Sequence, residues 1–424
     1  MKNKLSSGFI ICTVLIFIIQ SSLFISTLLA QLPNTWIQRA NFPGVARVSA
    51  VGFSIGSKGY VGTGQDTAGN LLADFWEYNP STNTWTQLAD FAGSPRRGAV
   101  GFSMNGKGYI GTGFDGTNNL KDFWMYDTLT GSWTQKRSLG GIINAMPRRE
   151  AASFVMNNKA YVVSGYDGTT FFNKECWQYD GDTTWTKKAD MGFGTLNSYR
   201  RRATGFAIDT NGYVCCGYNY SQDWKKDIWK YNLRTNTWVQ MADFGGQGRG
   251  NAVAFTINGK GFVGTGNNEH YQKDFWRYNP VNNTWIQVAN YGGEDLSQGI
   301  AFSINGNGYT GLGCDSLLFR NDFWIYTPDS TIGINEQQEE TMHVTVFPNP
   351  FTSSAVLKID NLPFHSNTFS CIVYDLYGKK LREEPMKKNA LLIERKNLPP
   401  GIYFYSVINS HDRKIYSSGK IIIE

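Results

Sequence analysis

The chain runs to 424 residues with 46 glycines, 13 tryptophans, 22 tyrosines and 27 phenylalanines, while only 17% of its residues are charged. That balance excludes a disordered chain and a helical bundle and describes an all-β protein of many short strands and tight turns. The formal net charge is +6, yet residues 31–340 hold 27 Lys and Arg against 27 Asp and Glu, so the bulk of the chain offers no basic surface to a nucleic acid.

The first segment carries Lys2 and Lys4, then an apolar run from Phe9 to Leu29, and ends on Ala30 before Gln31. This is the layout of a secretory signal peptide over residues 1–30, with a mature chain beginning near Gln31. Leu28 is bulky for its place before the cut, which keeps an uncleaved membrane anchor as the rival reading.

Three motifs then recur six times each in fixed order. The first joins an aromatic residue to a closing glycine, as in GYVGTG at Tyr60 and GFVGTG at Phe262. The second places tryptophan in a D-F-W-x-Y setting at Trp76, Trp124, Trp276 and Trp324, and in its variants E-C-W-Q-Y at Trp177 and D-I-W-K-Y at Trp229. The third, of the N-T-W type, falls at Trp36, Trp85, Trp133, Trp185, Trp238 and Trp285, 47 to 53 residues apart. Each unit reads as four strands, for example 99–104 (a), 107–112 (b), 123–127 (c) and 132–136 (d), with the tryptophans supplying the apolar area between neighbouring sheets. Trp36 is a strand d motif that precedes the first strand b, and no such motif follows Trp324. The N-terminal strand is therefore expected to complete the sixth sheet and close the ring.

This period and order resemble kelch repeats, in which each unit is one blade of a propeller. The resemblance covers about residues 32–328 and implies a six-bladed kelch β-propeller over 31–328, closed by an N-terminal d strand. The chain departs from the usual Gly-Gly pair after strand b, carrying Thr63-Gly64, Thr112-Gly113, Ser164-Gly165, Cys216-Gly217, Thr265-Gly266 and Leu312-Gly313 instead.

Residues 329–340 are polar and read as a linker. Beyond them, alternating blocks predict a small antiparallel β-sandwich of about seven strands over 341–424. Pro348-Asn349-Pro350, Asp375 to Lys379, Gly401 to Phe404 and Gly419 to Ile423 follow the order of the type A sorting domain of the type IX secretion system, which the tail resembles. That resemblance implies recognition by the type IX machinery, removal of the tail, and a secreted or outer-surface product, which we expect to be a monomer.

The repeat region carries few groups suited to catalysis or metal binding. His270 is the only histidine in the repeat region, so copper oxidase and imidazole-based zinc sites are excluded, and no cofactor or metal is expected. Cys176, Cys215, Cys216, Cys314 and Cys371 lack paired spacing; buried unpaired thiols are the expectation, with a vicinal Cys215–Cys216 bridge or a single cross-blade bond as the alternatives. Six residues before the strand a phenylalanine of five units stand Arg47, Arg96, Arg148, Arg200 and Arg249, with Leu296 breaking the series. Guanidinium groups in one register around a channel would suit an anionic ligand, such as an acidic glycan or a protein carboxylate, and the alternative is that they brace the blades. Arg97, Arg149, Arg201 and Arg202 add to the local positive field. The sequence thus points to a recognition module, with a metal-independent sugar enzyme of the sialic acid mutarotase kind as the alternative. Glu150 would be that enzyme's acid or base, and Glu294 and Asp295 are further carboxylates in the same class of loop.

Overall fold

The computed structural model describes residues 34–329 and 343–424, except residues 144, 169–171, 193–198, 220, 222, 361–368, 377, 387–388 and 411–414. The expected signal peptide and almost all of the expected linker lie outside the described residues. The chain divides into two compact units, Met1–Ser330 and Thr331–Glu424.

The first unit is a ring of six four-stranded antiparallel sheets. Blade 1 consists of Val51–Ile55 (a), Lys58–Gly62 (b), Phe75–Asn79 (c) and Thr84–Gln87 (d). In blade 2, strands c and d span Phe123–Asp127 and Ser132–Lys136 as the sequence predicts, and strands a and b, Val100–Met104 and Lys107–Gly111, each fall one residue short. Strand a buries alternate residues such as Val51, Phe53 and Ile55, while strand b is buried from Gly59 to Gly62 because it has a neighbouring blade on either face.

That crowding explains the strand b glycines. A Cβ at Gly59 would lie 2.4 Å from the Phe302 ring of the preceding blade, and one at Gly62 would lie 2.8 Å from the ring of Phe75 opposite it. In blades 3 and 4 the opposing residue is smaller, Cys176 or Ile228, and strand b carries Val163 or Cys215 in place of glycine. Cys176, Cys215, Cys216, Cys314 and Cys371 are all buried thiols, with the sulfurs of Cys215 and Cys216 3.0 Å apart.

Blade 6 contains Ile300–Ile304, Asn307–Gly311 and Phe323–Thr327, and its outer strand is the N-terminal Thr35–Gln38. Trp36 pairs with Tyr326 as Trp85 pairs with Tyr78 in blade 1. The joint to the preceding blade is also shared. Each d-strand indole donates to a carbonyl at the end of the preceding d strand: Trp36 to Ala289 at 3.0 Å, Trp85 to Ala40 at 2.9 Å, and Trp133, Trp185, Trp238 and Trp285 likewise. The sixth blade is thus sealed by the same bonds as the other five, although its strands come from opposite ends of the repeat region.

The second unit is a sandwich of a three-stranded sheet (His343–Phe347, Ser354–Asp360, Ala390–Glu394) on a four-stranded one (Lys380–Pro385, Phe369–Tyr374, Gly401–Asn409, Ile415–Ile423). Its core includes Phe351, Leu357, Phe369, Val373, Tyr405, Val407 and Ile421. The motif residues hold the last strand in place. Asn349 accepts from the Ile422 amide at 2.8 Å and donates to the Lys420 carbonyl at 2.9 Å, while Asp375 accepts the Lys379 amide at 2.9 Å across a turn where Gly378 has φ 78°.

Candidate ligand site at the channel mouth

The five arginines in one register do not face a ligand. Arg47, Arg96, Arg148, Arg200 and Arg249 are fully buried, and each grips the acidic residue that opens strand c of its own blade. Arg47 forks onto Asp74 at 2.5 and 2.7 Å, Arg96 onto Asp122 at 2.7 and 2.8 Å, and Arg200 onto Asp227 at 2.7 and 2.8 Å. Arg249 pairs with Asp274 in the same manner, and Arg148 meets Glu175 at 2.7 Å. In each of these blades Nη1 donates to the carbonyl of Thr63, Thr112, Ser164, Cys216 or Thr265, residues held at φ between 56° and 67°. Non-glycine residues resist that left-handed backbone, so the guanidinium braces a strained turn where typical kelch repeats have glycine. The same carboxylate accepts the strand c indole, as Asp74 accepts Trp76 at 2.7 Å and Asp322 accepts Trp324 at 2.6 Å. The ligand-facing reading of these five residues is therefore corrected to a structural one, because their donors are spent inside the blade.

Blade 6 shows how the brace is replaced. Leu296 stands where the arginine would be, and Tyr291, at the position of Phe42, Phe91 and Phe244, donates its hydroxyl to Asp322 at 3.2 Å. Phe42, Phe91 and Phe244 instead carry the arginines on their ring faces, at 4.8 to 5.0 Å. Losing the guanidinium and gaining the phenol keep a second donor on the carboxylate beside the Trp324 indole.

The axis of the ring is closed by backbone. Ser49, Gly98, Glu150, Arg202, Asn251 and Gln298, one residue per blade, all have φ between 53° and 61°. Each amide donates to the preceding carbonyl: Gly98 to Ser49 at 2.9 Å, Glu150 to Gly98 at 2.8 Å, Arg202 to Glu150 at 3.0 Å, Asn251 to Arg202 at 2.9 Å, Gln298 to Asn251 at 3.4 Å, and Ser49 to Gln298 at 3.0 Å. This girdle and the small residue after each member line a recess of about 150 Å³.

Around that recess the side chains divide into two halves. Across blades 2 to 4, guanidinium groups and aromatic rings alternate. Arg97 lies 5.6 Å from the Phe114 ring, Arg149 lies 4.5 Å from Phe114 and 4.9 Å from Tyr166, and Arg201 lies 5.1 Å from Tyr166 and 5.8 Å from Tyr218. Tyr218 packs on Trp224 at 4.6 Å. Trp224 occupies the place of a fourth arginine, where blade 5 has Gly250, whose Cβ would lie 2.9 Å from the indole. Glu150, 15% exposed, pairs with Arg202 at 3.2 Å and Arg201 at 3.5 Å. Among the described residues neither Arg97 nor Arg149 has an acidic partner in ion-pair range; Arg149 donates to the Asn119 side chain at 3.0 Å, and its Nε is buried without a partner. Burial, with the like charges of Arg97 and Arg201, pulls Arg149 below the ordinary arginine range, against the pull of Glu150.

The other half of the rim is neutral. Asn267 accepts from Ser297 at 2.7 Å and Asn251 at 3.1 Å, and Ser49 donates to Gln298 at 2.7 Å. Glu294 is exposed and Asp295 partly so, both outside the girdle. The alternating stack was legible in part: Arg97, Arg149 and Arg201 are each followed 17 residues later by Phe114, Tyr166 and Tyr218.

Residues 27–193 and 147–304 match the family described as KLHDC2/KLHL20/DRC7 Kelch-repeats domain. The chain belongs to the kelch-repeat family. This kelch propeller carries at residues 345–424 a match to the secretion system C-terminal sorting domain, which marks the protein for type IX export. A solved structure titled "Structure of YjhT" is similar to it with a TM-score of 0.58 at 16% identity, covering 69% of this chain and 98% of that one, a likeness of fold. No curated protein matches the chain by sequence.

Proposed function

We propose that the exported kelch propeller is a recognition module that binds the carboxylate of a sugar acid at the cationic half of its channel mouth. The observation that carries this reading is the stack in which Arg149 lies between Phe114 and Tyr166 and Arg201 between Tyr166 and Tyr218, with Arg97 against Phe114 at its end. A guanidinium with both faces covered by rings keeps only its edge for hydrogen bonding, and an edge held in one orientation pays little entropy to grip a carboxylate. Glu150 pairs with Arg201 and Arg202, and among the described residues Arg97 and Arg149 have no carboxylate in ion-pair range. The recess of about 150 Å³ suits the end of a sugar and not a passing strand.

A second reading is favoured by the same one-sidedness. With Glu150 among the arginines, the site has the groups that opening a sugar acid ring requires: guanidinium for the carboxylate, and a carboxylate that takes the proton of the anomeric hydroxyl as the carbonyl forms and, now protonated, gives it to the ring oxygen as the C–O bond breaks. The propeller would then interconvert the anomers of the acid it binds.

Titration calorimetry of the mature protein with N-acetylneuraminic or glucuronic acid, and with neutral glucose as control, tests the binding. The acid should bind and glucose should not. Arg149→Met should weaken the acid roughly ten- to a hundredfold, the worth of a charged hydrogen bond. Equal response to acid and neutral sugar contradicts the proposal. Exchange between anomers followed by NMR separates the two readings, because only an enzyme accelerates it and only an enzyme loses the acceleration in Glu150→Gln.

A further inference from the structure

A cavity of about 500 Å³ lies between blades 4 and 5, lined by Asp223, Trp224, Gln247, Gly248, Asn268, Glu269 and His270. It shares a wall with the mouth. Trp224, whose indole ends the cation–aromatic stack, also lines this cleft, and a Cβ on Gly250 would meet that indole at 2.9 Å and the Arg202 stem at 3.2 Å. Glycine at this place therefore brings the mouth and the cleft within one side chain of each other. The polarity reverses across that wall: guanidinium groups stand on the mouth side, and the carboxylates of Asp223 and Glu269 on the cleft side.

Resting on the mouth reading, we infer that the cleft is a second subsite, so that the ligand is an oligosaccharide with its acid at the terminus and a neutral sugar next to it. Exposed carboxylates and amides accept and donate to sugar hydroxyls, and an indole gives an apolar wall for sugar C–H groups. Asn268 is already fixed by its bonds to Gln247 at 3.2 Å and to the Gly248 carbonyl at 3.2 Å, which orders the cleft floor before any ligand arrives. Glu269, with no ion pair among the described residues, gives the cleft its negative sign, while the charge of Asp223 is offset by Lys225 at 3.2 Å. A second acidic sugar would face Glu269 at the cost of like-charge repulsion, so the site distinguishes a singly acidic glycan from a polyacid.

Calorimetry on the mature protein tests this with three probes: a free sugar acid, a trisaccharide carrying that acid only at its terminus, and a trimer acidic at every unit. The terminally acidic trisaccharide should bind about tenfold tighter than the free acid, the gain of roughly one further good hydrogen bond, and the trimer should show no such gain. The double variant Asp223→Asn, Glu269→Gln should leave the free acid unchanged and let the all-acid trimer gain. Equal affinity for the free acid and the trisaccharide would overturn the second subsite alone. Failure of all three probes to bind would remove the mouth reading and this inference with it.

Discussion

At the scale of single residues, the arginines divide by one position in sequence. Arg96 and its four counterparts point into their own blades and are consumed by a carboxylate and a carbonyl, whereas Arg97, Arg149 and Arg201, the next residues, rise to the mouth. The sequence holds the clue to the first role. In the blade with Leu296 for arginine, Tyr291 replaces the phenylalanine, so the two positions change together around Asp322, which only a joint reading of distant positions brings out. Arg96→Leu should destabilise the propeller by about 3 kcal/mol, since a partly buried carboxylate loses its partner. Adding Phe91→Tyr, which copies blade 6, should return part of that loss in urea unfolding; no recovery would contradict the exchange. These carboxylates also set the acid limit. Burial alone would raise Glu175, but its bonds from Trp177, Arg148 and Lys187 win and hold it at about 2 against an ordinary 4.5. Asp74, Asp122 and Asp227 are lowered for the same opposing reasons. A depressed value means stability that is full above the ordinary carboxylate range and is lost as pH falls through the folded value, so melting temperature should hold to about pH 4.5 and drop towards pH 2.

At the scale of elements, most strands are legible because tryptophan, tyrosine and glycine mark them at a regular period. The blade 2 boundaries agree within one residue. The strand Lys380–Pro385 is not signalled, since KLREEP is a charged edge strand with neither alternation nor an apolar run to mark it. The closing strand Thr35–Gln38 was legible from order alone, and its joint explains its weight. Trp36 packs on Phe275 at 4.9 Å, Tyr326 at 5.1 Å and Tyr291 at 5.3 Å, while Asn34 accepts from the Ala289 amide at 2.9 Å and the Tyr326 hydroxyl at 3.0 Å. Trp36 is half-buried, so Trp36→Ala should cost about 3 kcal/mol, the low end of the range for deleting an aromatic side chain, and should lower the urea midpoint as much as the same change at the half-buried Trp85. An unchanged midpoint would mean that the ring does not depend on its N-terminal strand.

At the scale of the whole molecule, the propeller supplies a rigid frame in which every blade is bonded to its neighbours and the axis is closed by a girdle of amides. The frame is nearly symmetric and the mouth is not. Blades 2 to 4 carry cations and rings, blades 5, 6 and 1 carry amides and hydroxyls, and a ligand with one acidic end and one hydroxylated end fits that division. The sequence could show the arginines but not the division, because which of two adjacent arginines faces solvent depends on strand pairing across the mouth, as between Arg97 and Phe114. A crystal structure of the mature protein soaked with a sugar acid tests the account most directly. The carboxylate should lie within hydrogen-bond reach of the Arg149 edge, with Arg97 or Arg202 as its second partner and the hydroxyls turned towards Asn251 and Gln298. A sugar acid bound on the opposite face of the ring, or at the mouth with its carboxylate turned away from these arginines, would contradict it.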